Sequence, residues 1–262
     1  MNKIDPTAIV HSSCQLGENV VVGPYVIIGE NVKIGDNTEI MHHAVIEKDT
    51  TIGKNNKIFS SAVLGGDPQD LGYFGEKSYL EIGDNNKIRE FVTIHRGSRE
   101  GNITKIGDNN YLMAYVHVGH DCIIKNNVIC TSFAGISGHC LIEDYAIIGG
   151  LAGLHQFVRV GTMAMIGGLS KVNKDIPPFT LCDGNPVTVR STNTVGLKRR
   201  GKSKEAISAL ADSVRIIFHA RLNRTTAIKM VLDKYPDIEE VKYLVNFIDA
   251  VREGNAGRQL NG

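Results

Sequence analysis

The sequence predicts an all-β left-handed parallel β-helix, a solenoid of hexapeptide repeats, followed by a C-terminal α-helical cap. Three observations predict it: aliphatic residues recur every six positions, a small-x-aliphatic-glycine unit recurs with them, and helical spacing begins near residue 203. A period of six fits neither an α-helix nor the two-residue alternation of a strand. It fits a solenoid in which each hexad supplies one strand and one turn, and three hexads complete a triangular coil.

The six-residue period keeps one phase along most of the chain. From Leu16 the aliphatic positions are Val22, Ile28, Ile34, Ile40, Ile46, Ile52, Ile58 and Leu64, and the same phase returns at Ile82 and at Ile106 and runs to Val172. We expect these side chains to point inward and to stack on their equivalents in the next coil. We expect glycine and asparagine to supply the turn positions with positive φ, the asparagines being Asn31, Asn55, Asn85, Asn109 and Asn126.

Two segments interrupt the period without changing its phase, near residues 66–79 and 96–104. They are predicted to be loops that leave the solenoid and return to it. Loops held on a rigid scaffold are favoured places for functional residues, so both loops are candidate parts of a site.

The repeat ends after Val172, where Asp175-Ile176-Pro177-Pro178 cannot continue a strand ladder. From Ser203, a predicted N-cap, apolar residues take helical spacing. A second helix is predicted from about Thr226 and a third around Val241. The chain therefore divides into a solenoid, residues 1–190, and a C-terminal helical domain, residues 191–262, that covers strand edges at the end of the solenoid.

Composition excludes several classes of protein. A formal net charge of +1 over 262 residues argues against nucleic acid as a partner. No apolar run approaches the ~20 residues that span a bilayer, and the N-terminus has no signal-peptide pattern, so we expect no membrane insertion. Five cysteines without paired spacing fit a reducing compartment, and we expect a cytoplasmic location.

Histidines cluster in the middle of the solenoid. In the stretch AYVHVGHDC, His117 and His120 flank Val118, which points inward by its phase. The outer faces carry apolar residues as well, and flat apolar faces favour closed cyclic association, so we expect a homotrimer. In that trimer His117, His120, His139 and His155 are expected to line a groove between subunits.

The residues alone leave three interpretations of these histidines open. They are solvated or interfacial, or they bind zinc through three imidazoles as in trimeric β-helix carbonic anhydrases, or one of them is a general base. A general base needs a carboxylate to set its tautomer and a donor for the oxyanion. His120 with Asp121 supplies the first two groups, and the amide of Gly138 offers the third one coil later.

Several motifs occur together and in order: IHRG at 94–97, HVGHDC at 117–122, HQF at 155–157, DIPP at 175–178, GNP at 184–186 and GLKRRG at 196–201. With them the chain closely resembles, over its whole length, the acyl-carrier-protein-dependent UDP-N-acetylglucosamine acyltransferases of lipid A biosynthesis. The resemblance implies transfer of a (3R)-3-hydroxyacyl group from acyl carrier protein to the 3-hydroxyl of UDP-N-acetylglucosamine. It implies no covalent intermediate, no metal and no cofactor beyond the phosphopantetheine that arrives with the carrier.

The resemblance also implies a role for individual residues. His120 is expected to be the general base, Asp121 its orienting carboxylate, and the Gly138 amide the oxyanion donor. Substrate-binding roles are implied for Gln69, Asp70, His117, His139, His155, Gln156, Asn193, Arg199 and Arg200. Gly168 corresponds to a residue that limits the hydrocarbon channel, and glycine there predicts a longer acyl chain.

Two positions depart from the common pattern of the family. Gly72 stands where many members have lysine after QDL, and Val195 stands where many have glutamate. A minority of members resembles this sequence at both places and acylates a 3-amino sugar nucleotide to form an amide. The loss of a cation and an anion near the sugar leaves the 3-hydroxyl and 3-amino acceptors both open.

Overall fold

The computed structural model describes residues 1–252, so the end of the predicted C-terminal domain, 253–262, lies outside the described residues. The chain winds into a three-sided solenoid. Face A contains β1 (Lys3–Ile4), β4 (Val21–Val22), β7 (Glu39–Ile40), β10 (Lys57–Ile58), β13 (Lys87–Ile88), β16 (Tyr111–Leu112), β19 (Ile129–Cys130), β22 (Ile147–Ile148), β25 (Met165–Ile166), β27 (Thr180–Asp183) and β28 (Thr188–Thr192).

The other two faces are built from the intervening strands. Face B contains β2 (Ile9–Val10), β5 (Ile27–Ile28), β8 (Val45–Ile46), β11 (Val63–Gly66), β14 (Thr93–His95), β17 (His117–Val118), β20 (Gly135–Ile136), β23 (Gly153–Leu154) and β26 (Lys171–Val172). Face C contains β3 (Gln15–Leu16), β6 (Lys33–Ile34), β9 (Thr50–Ile52), β12 (Tyr79–Ile82), β15 (Ile103–Ile106), β18 (Ile123–Ile124), β21 (Leu141–Ile142) and β24 (Arg159–Val160).

The register of the parallel strands explains the two interruptions. Neighbouring coils are offset by 18 residues, as in the pairing of Ile4 with Val22. On face C the offset grows to 30 residues between Ile52 and Ile82 and to 24 between Ile82 and Ile106. The extra residues form loop 1 (67–78) and loop 2 (96–102), which both leave the solenoid where face B turns into face C. We call this edge the BC corner.

The predicted inward positions form one continuous core. Val22 and Ile124 are almost fully buried, and aliphatic layers stack from Val20 to Val187. Ile4 departs from this pattern and is 47% exposed, because the first coil has no coil beneath it to pack on.

The expectation for the turn glycines is wrong at every repeat position except Gly65, which has φ 82°. The repeat glycine is needed for close packing of coils rather than for positive φ: a Cβ on Gly35 would lie 2.6 Å from the carbonyl carbon of Gly53. Positive φ falls two residues later, as at Asn37 with φ 57°. Four of the five predicted asparagines have positive φ. The exception is Asn126, where the next residue, Asn127, has the left-handed conformation instead.

The helical part follows an antiparallel hairpin, β27–β28, that extends face A. Its helices are α1 (Thr194–Arg199), α2 (Lys204–His219), α3 (Arg224–Lys234) and α4 (Glu239–Arg252). Ser203 caps α2 as predicted, accepting a hydrogen bond from the amide of Ala206 at 3.0 Å. The hairpin and α1 were not anticipated, because neither has the long apolar period that identifies the other elements.

Polar contacts attach the helices to the solenoid. The Tyr243 hydroxyl donates to Glu143 Oε2 at 2.7 Å, and Arg159 donates to the carbonyl of Phe247 at 3.1 Å while lying over its ring. Within residues 1–252, no helix combines the length and apolar character needed to cross a membrane.

Candidate active site

The BC corner brings together residues that the sequence separates. Asp121 and His139 occupy equivalent turn positions in adjacent coils, with φ of 60° and 61°. His120 precedes Asp121, and its ring lies perpendicular to that of His139 with centroids 5.1 Å apart. Loops 1 and 2 leave the solenoid at the same corner, so they border these side chains.

The contact between His120 and Asp121 sets the protonation of the imidazole. His120 Nδ1 lies 2.7 Å from Asp121 Oδ2, and the two side chains are only 13% and 7% exposed. An ionised carboxylate can only accept a hydrogen bond, so Nδ1 carries the proton. In the neutral imidazole Nε2 therefore holds a lone pair and can accept a proton.

Loop 2 holds the carboxylate of Asp121 in its ionised form. The Ser98 amide donates to Oδ2 at 3.1 Å, and Asn102 Nδ2 donates to Oδ1 at 2.8 Å. Burial favours a raised pKa for Asp121, but hydrogen bonds from Ser98, His120 and Asn102 outweigh burial and lower it. The backbone is fixed as well, since the Asp121 amide donates to Thr104 Oγ1 at 2.7 Å.

Gly138 leaves room for the His120 ring. A Cβ at this position would lie 2.7 Å from His120 Nε2 and 2.6 Å from Cε1, so the imidazole rests against the glycine backbone. Within residues 1–252 the Gly138 amide donates no hydrogen bond. An unpaired N–H thus lies beside the proton-accepting nitrogen, which is the pairing that oxyanion stabilisation requires.

Burial favours the neutral form of the neighbouring histidines. His139 stacks on Phe157, with centroids 4.6 Å apart, and His117 Nδ1 lies 2.9 Å from Thr93 Oγ1. Burial is the main cause that lowers the pKa of both His139 and His117, and at His139 it outweighs the opposing charge of Asp121. Burial likewise lowers the pKa of His95, whose Nδ1 lies 2.6 Å from the carbonyl of Asp67.

Loop 1 brings Asp70 to the same corner. Its Oδ1 accepts the Gly72 amide at 2.9 Å, and this hydrogen bond is the main cause of the lowered pKa of Asp70, with smaller contributions from the charges of Arg99, His120 and His139. Gln69 beside it is exposed. A buried arginine joins the loops to the solenoid: Arg96 donates to the carbonyl of Gly65 and to the carboxylate of Asp67.

Three predicted residues lie further along the solenoid. His155 and Gln156 are exposed at the BC corner, in the second coil beyond Gly119 and His120. Gly168 lies at the edge between faces A and B, and a Cβ there would approach only the backbone of Gly150, with the carbonyl oxygen at 3.2 Å. Gly168 is exposed, but this contact is tighter than an ordinary one, so a larger side chain there requires a small shift of the backbone.

The other predicted substrate residues lie at a different corner. The Arg200 guanidinium lies 4.2 Å from the Tyr145 ring, at the edge between faces C and A, and Arg199 ends α1 nearby. Face C separates this edge from His120 within one chain. Asn193 is buried and its side chain is engaged, accepting the Gly196 amide at 3.0 Å and donating to the carbonyl of Met163 at 2.9 Å.

One group of residues in the described part of the chain has the arrangement to hold a metal ion. One ligand atom each from His120, Asp121 and His139 lies within 4.8 Å of the others. Metal binding through His120 Nδ1 would break its bond to Asp121, whose oxygens already accept hydrogen bonds from Ser98 and Asn102. The observed contacts therefore suit an oriented base better than a ligand set.

Comparison with known proteins agrees with this geometry. Residues 31–66 and 103–138 match the family described as bacterial transferase hexapeptide (six repeats), and residues 175–256 match the second domain of UDP-N-acetylglucosamine O-acyltransferase. The acyl-[acyl-carrier-protein]–UDP-N-acetylglucosamine O-acyltransferase of Thermodesulfovibrio yellowstonii is 48% identical over 255 residues, covering 97% of this chain and 99% of the relative. The chain belongs to this acyltransferase family.

Other members of the acyltransferase family support the assignment. The protein of the same name from a Sulfurihydrogenibium species is 55% identical, covering 98% of this chain and 95% of the relative. The solved LpxA structure from Acinetobacter baumannii has a TM-score of 0.92 at 38% identity, covering 98% of both chains. That from Bacteroides fragilis has a TM-score of 0.91 at 41% identity, covering 98% of this chain and all of the other. The predicted family, left-handed β-helix fold and acyltransferase class are confirmed.

Sequence reasoning missed several residues of the candidate active site. Ser98 and Asn102 hold Asp121, Thr93 contacts His117, and Arg99 contacts Asp70. The only available signal for the loop residues was the interruption near 96–104. It marks a loop, but it does not show which residues of the solenoid the loop side chains contact.

Proposed function

We propose that this acyltransferase moves a (3R)-3-hydroxyacyl group from acyl carrier protein to the 3-position of UDP-N-acetylglucosamine, the first step of lipid A biosynthesis, with His120 as general base. One observation carries the mechanism. Asp121 Oδ2, 2.7 Å from His120 Nδ1, holds the proton on that nitrogen, and Nε2, left as the proton acceptor, lies against the backbone of Gly138, whose amide is unpaired within residues 1–252.

The reaction follows from these groups. Nε2 of His120 takes the proton of the 3-hydroxyl while its oxygen attacks the thioester carbonyl carbon. The carbonyl oxygen becomes an oxyanion, which the Gly138 amide stabilises; one such donor is worth about 3 kcal/mol. Collapse of the tetrahedral intermediate breaks the C–S bond, and the imidazolium returns its proton to the leaving thiolate. Asp121 stabilises the imidazolium between these steps.

Transfer is direct, without an acyl-enzyme. The nearest cysteine, Cys122, is buried beneath the site, and burial raises its pKa well above the ordinary value. Burial also raises the pKa of Cys130 to about 12. The thiolate is the nucleophilic form, so neither thiol is suited to attack a thioester. A sugar hydroxyl activated by His120 needs no protein nucleophile because the acyl group arrives activated.

The complete site is proposed to form between copies of the chain in a homotrimer. Arg199 and Arg200, exposed at another corner, would approach His120 of a neighbouring copy and bind the nucleotide phosphates through paired guanidinium hydrogen bonds. Exposed apolar surface supports association: Phe91, Tyr115 and Phe133 stack in successive coils and are each about half exposed. Such a contiguous patch favours contact with another protein surface.

The acyl donor and the cellular location complete the proposal. The acidic carrier protein requires basic landing groups, for which the sequence offers Lys171, Lys174, Arg159 and the residues 198–200. Arg159 is paired with Asp175 and only 12% exposed, so the others are the candidates. The cysteines of the described chain are free, which suits a reducing, cytoplasmic setting. The 3-amino analogue of the acceptor would use the same base, and Gly72 and Val195 are the departures that favour testing it.

The first experiment measures acyl transfer from 3-hydroxymyristoyl-acyl carrier protein to UDP-N-acetylglucosamine and to its 3-amino analogue. His120→Ala is expected to lower kcat by about 10²–10⁴-fold, the range for loss of a general base. His42→Ala, which removes an exposed histidine far from the BC corner, is the matched control. Full activity of His120→Ala would overturn the mechanism. Transfer to the 3-amino analogue alone would mean that this amine, and not UDP-N-acetylglucosamine, is the acceptor.

A second experiment tests the shared site. His120→Ala and Arg199→Ala/Arg200→Ala preparations are each expected to be nearly inactive and to regain activity when unfolded, mixed and refolded together. A hybrid trimer can combine an intact His120 with intact arginines from its neighbour. Failure to regain activity, with hybrids verified by native mass spectrometry, would place both groups in a site within one chain.

A further inference from the structure

Arg99 of loop 2 fills the space that Gly72 leaves in loop 1. A Cβ on Gly72 would lie 2.8 Å from Arg99 Nη2. Arg99 Nη1 donates to the carbonyls of Gly72 at 2.7 Å and Ser98 at 2.9 Å, so the guanidinium bridges the two loops. Gly72 does not adopt the left-handed backbone conformation, and the guanidinium rather than backbone strain is what a side chain there would meet.

This guanidinium borders the candidate active site. Its Nη2 lies 3.4 Å from Asp70 Oδ2, and its charge contributes to the lowered pKa of Asp70 and of His139, after the larger effects of the Gly72 hydrogen bond and of burial. The preceding residue, Ser98, holds the carboxylate of Asp121. A cation at this place therefore lies within electrostatic reach of the acid/base groups.

The guanidinium also keeps capacity for a ligand. The Arg99 side chain is 52% exposed, and it contacts three acceptors: two carbonyls and the Asp70 carboxylate. A guanidinium carries five N–H donors in a planar fork, so donors remain that can face an incoming anion. The buried Arg96, which donates to Gly65 and Asp67, is only 1% exposed and offers no such access to a ligand.

We infer that Arg99 binds the anionic nucleotide-sugar acceptor, supplying from loop 2 the cation that Gly72 omits from loop 1. This inference rests on the proposed function. The sequence predicted that Gly72 removes a cation from the neighbourhood of the sugar; the structure returns a positive charge to the same place from 27 residues away. Arg99 also orients Asp70, so its loss affects acceptor binding and leaves the His120–Asp121 pair in place.

The test separates charge from loop support. Arg99→Ala is expected to raise the KM for UDP-N-acetylglucosamine about 10- to 100-fold, the usual effect of losing a hydrogen bond to a charged group. The KM for the acyl carrier protein substrate and kcat are expected to change less than threefold. Adding Gly72→Lys to Arg99→Ala restores a cation but not the bonds to the Gly72 and Ser98 carbonyls. This double variant is expected to recover most of the acceptor affinity.

Each outcome has one meaning. Lys77→Ala, which removes an exposed cation from loop 1, is the control and should keep the KM of the parent. An unchanged KM in Arg99→Ala, or a raised KM that Gly72→Lys does not rescue, overturns the binding role. If the parent enzyme acylates neither acceptor, the proposed function is overturned and this inference with it. If the parent enzyme is active, a negative result with the Arg99 variants refutes only the role of Arg99.

Discussion

Gly138→Ala is a sharp test of the catalytic geometry because it adds one methyl group and removes nothing. The new Cβ would lie 2.6 Å from His120 Cε1, whereas ordinary contact begins at 3.4 Å, so the ring must retreat by about 0.8 Å. The Gly138 amide stays available, and the substitution acts only through the position of the imidazole. A misplacement of about 1 Å at a reacting group can cost roughly 100-fold in rate.

We therefore expect Gly138→Ala to lower kcat about 100-fold while the protein stays folded. Overpacking at a tight position costs about 1–3 kcal/mol, and a long solenoid core can absorb this amount. The assay is steady-state transfer from 3-hydroxymyristoyl-acyl carrier protein, with thermal unfolding measured in parallel. Displacement of the ring from Asp121 would also alter the ¹⁵N and ¹H signals of the His120 imidazole.

The matched control is Gly153→Ala in the neighbouring coil of face B. A Cβ there would meet nothing within 4 Å, so kcat and unfolding should stay near those of the parent. If Gly138→Ala keeps kcat within threefold of the parent, the argument that His120 acts as the base from the observed position is refuted.

The remaining predictions use other parts of the molecule. The lowered pKa values of His95 and His117 mean that the unfolded chain binds more protons below pH ~6.5, so stability should rise with pH through that window. The unfolding midpoint of the double variant His95→Gln/His117→Gln should depend less on pH. Tyr243→Phe removes the 2.7 Å bond to buried Glu143 and should lower unfolding free energy by about 1–3 kcal/mol in denaturant titrations. Gly168→Met should shorten the acyl chain that the enzyme prefers. An unchanged chain-length profile would show that position 168 does not limit the hydrocarbon channel. Chelators such as phenanthroline should leave transfer unchanged, whereas loss restored by zinc would favour a metal mechanism.

The repeat made the solenoid predictable at the level of single residues. The phase from Leu16 to Val172 placed the inward side chains, because a period of six leaves only one way to stack coils. Ser203 was identifiable as an N-cap from local hydrogen bonding alone. The role of the repeat glycines was not, since their close contact is with residues of the next coil, 18 positions away in a regular repeat.

The candidate site was predictable only in part. His120 and Asp121 are adjacent in the chain, so their pairing is local. The contacts from Ser98 and Asn102 to Asp121 join residues 23 and 19 positions apart, across a loop that carries no repeat. Asn193 has both side-chain functions engaged around α1, which its position in a sequence motif could not reveal.

By itself the sequence determined the fold, the family and the adjacent pair His120 and Asp121, because a strict period carries its own geometry. Only the tertiary structure decided which groups orient Asp121, why position 138 must be glycine, and that Arg99 fills the place left by Gly72. The physical reason is that these contacts depend on where two irregular loops return to the solenoid. Loop return is set by long-range hydrogen bonds and packing, and short-range patterns do not encode it.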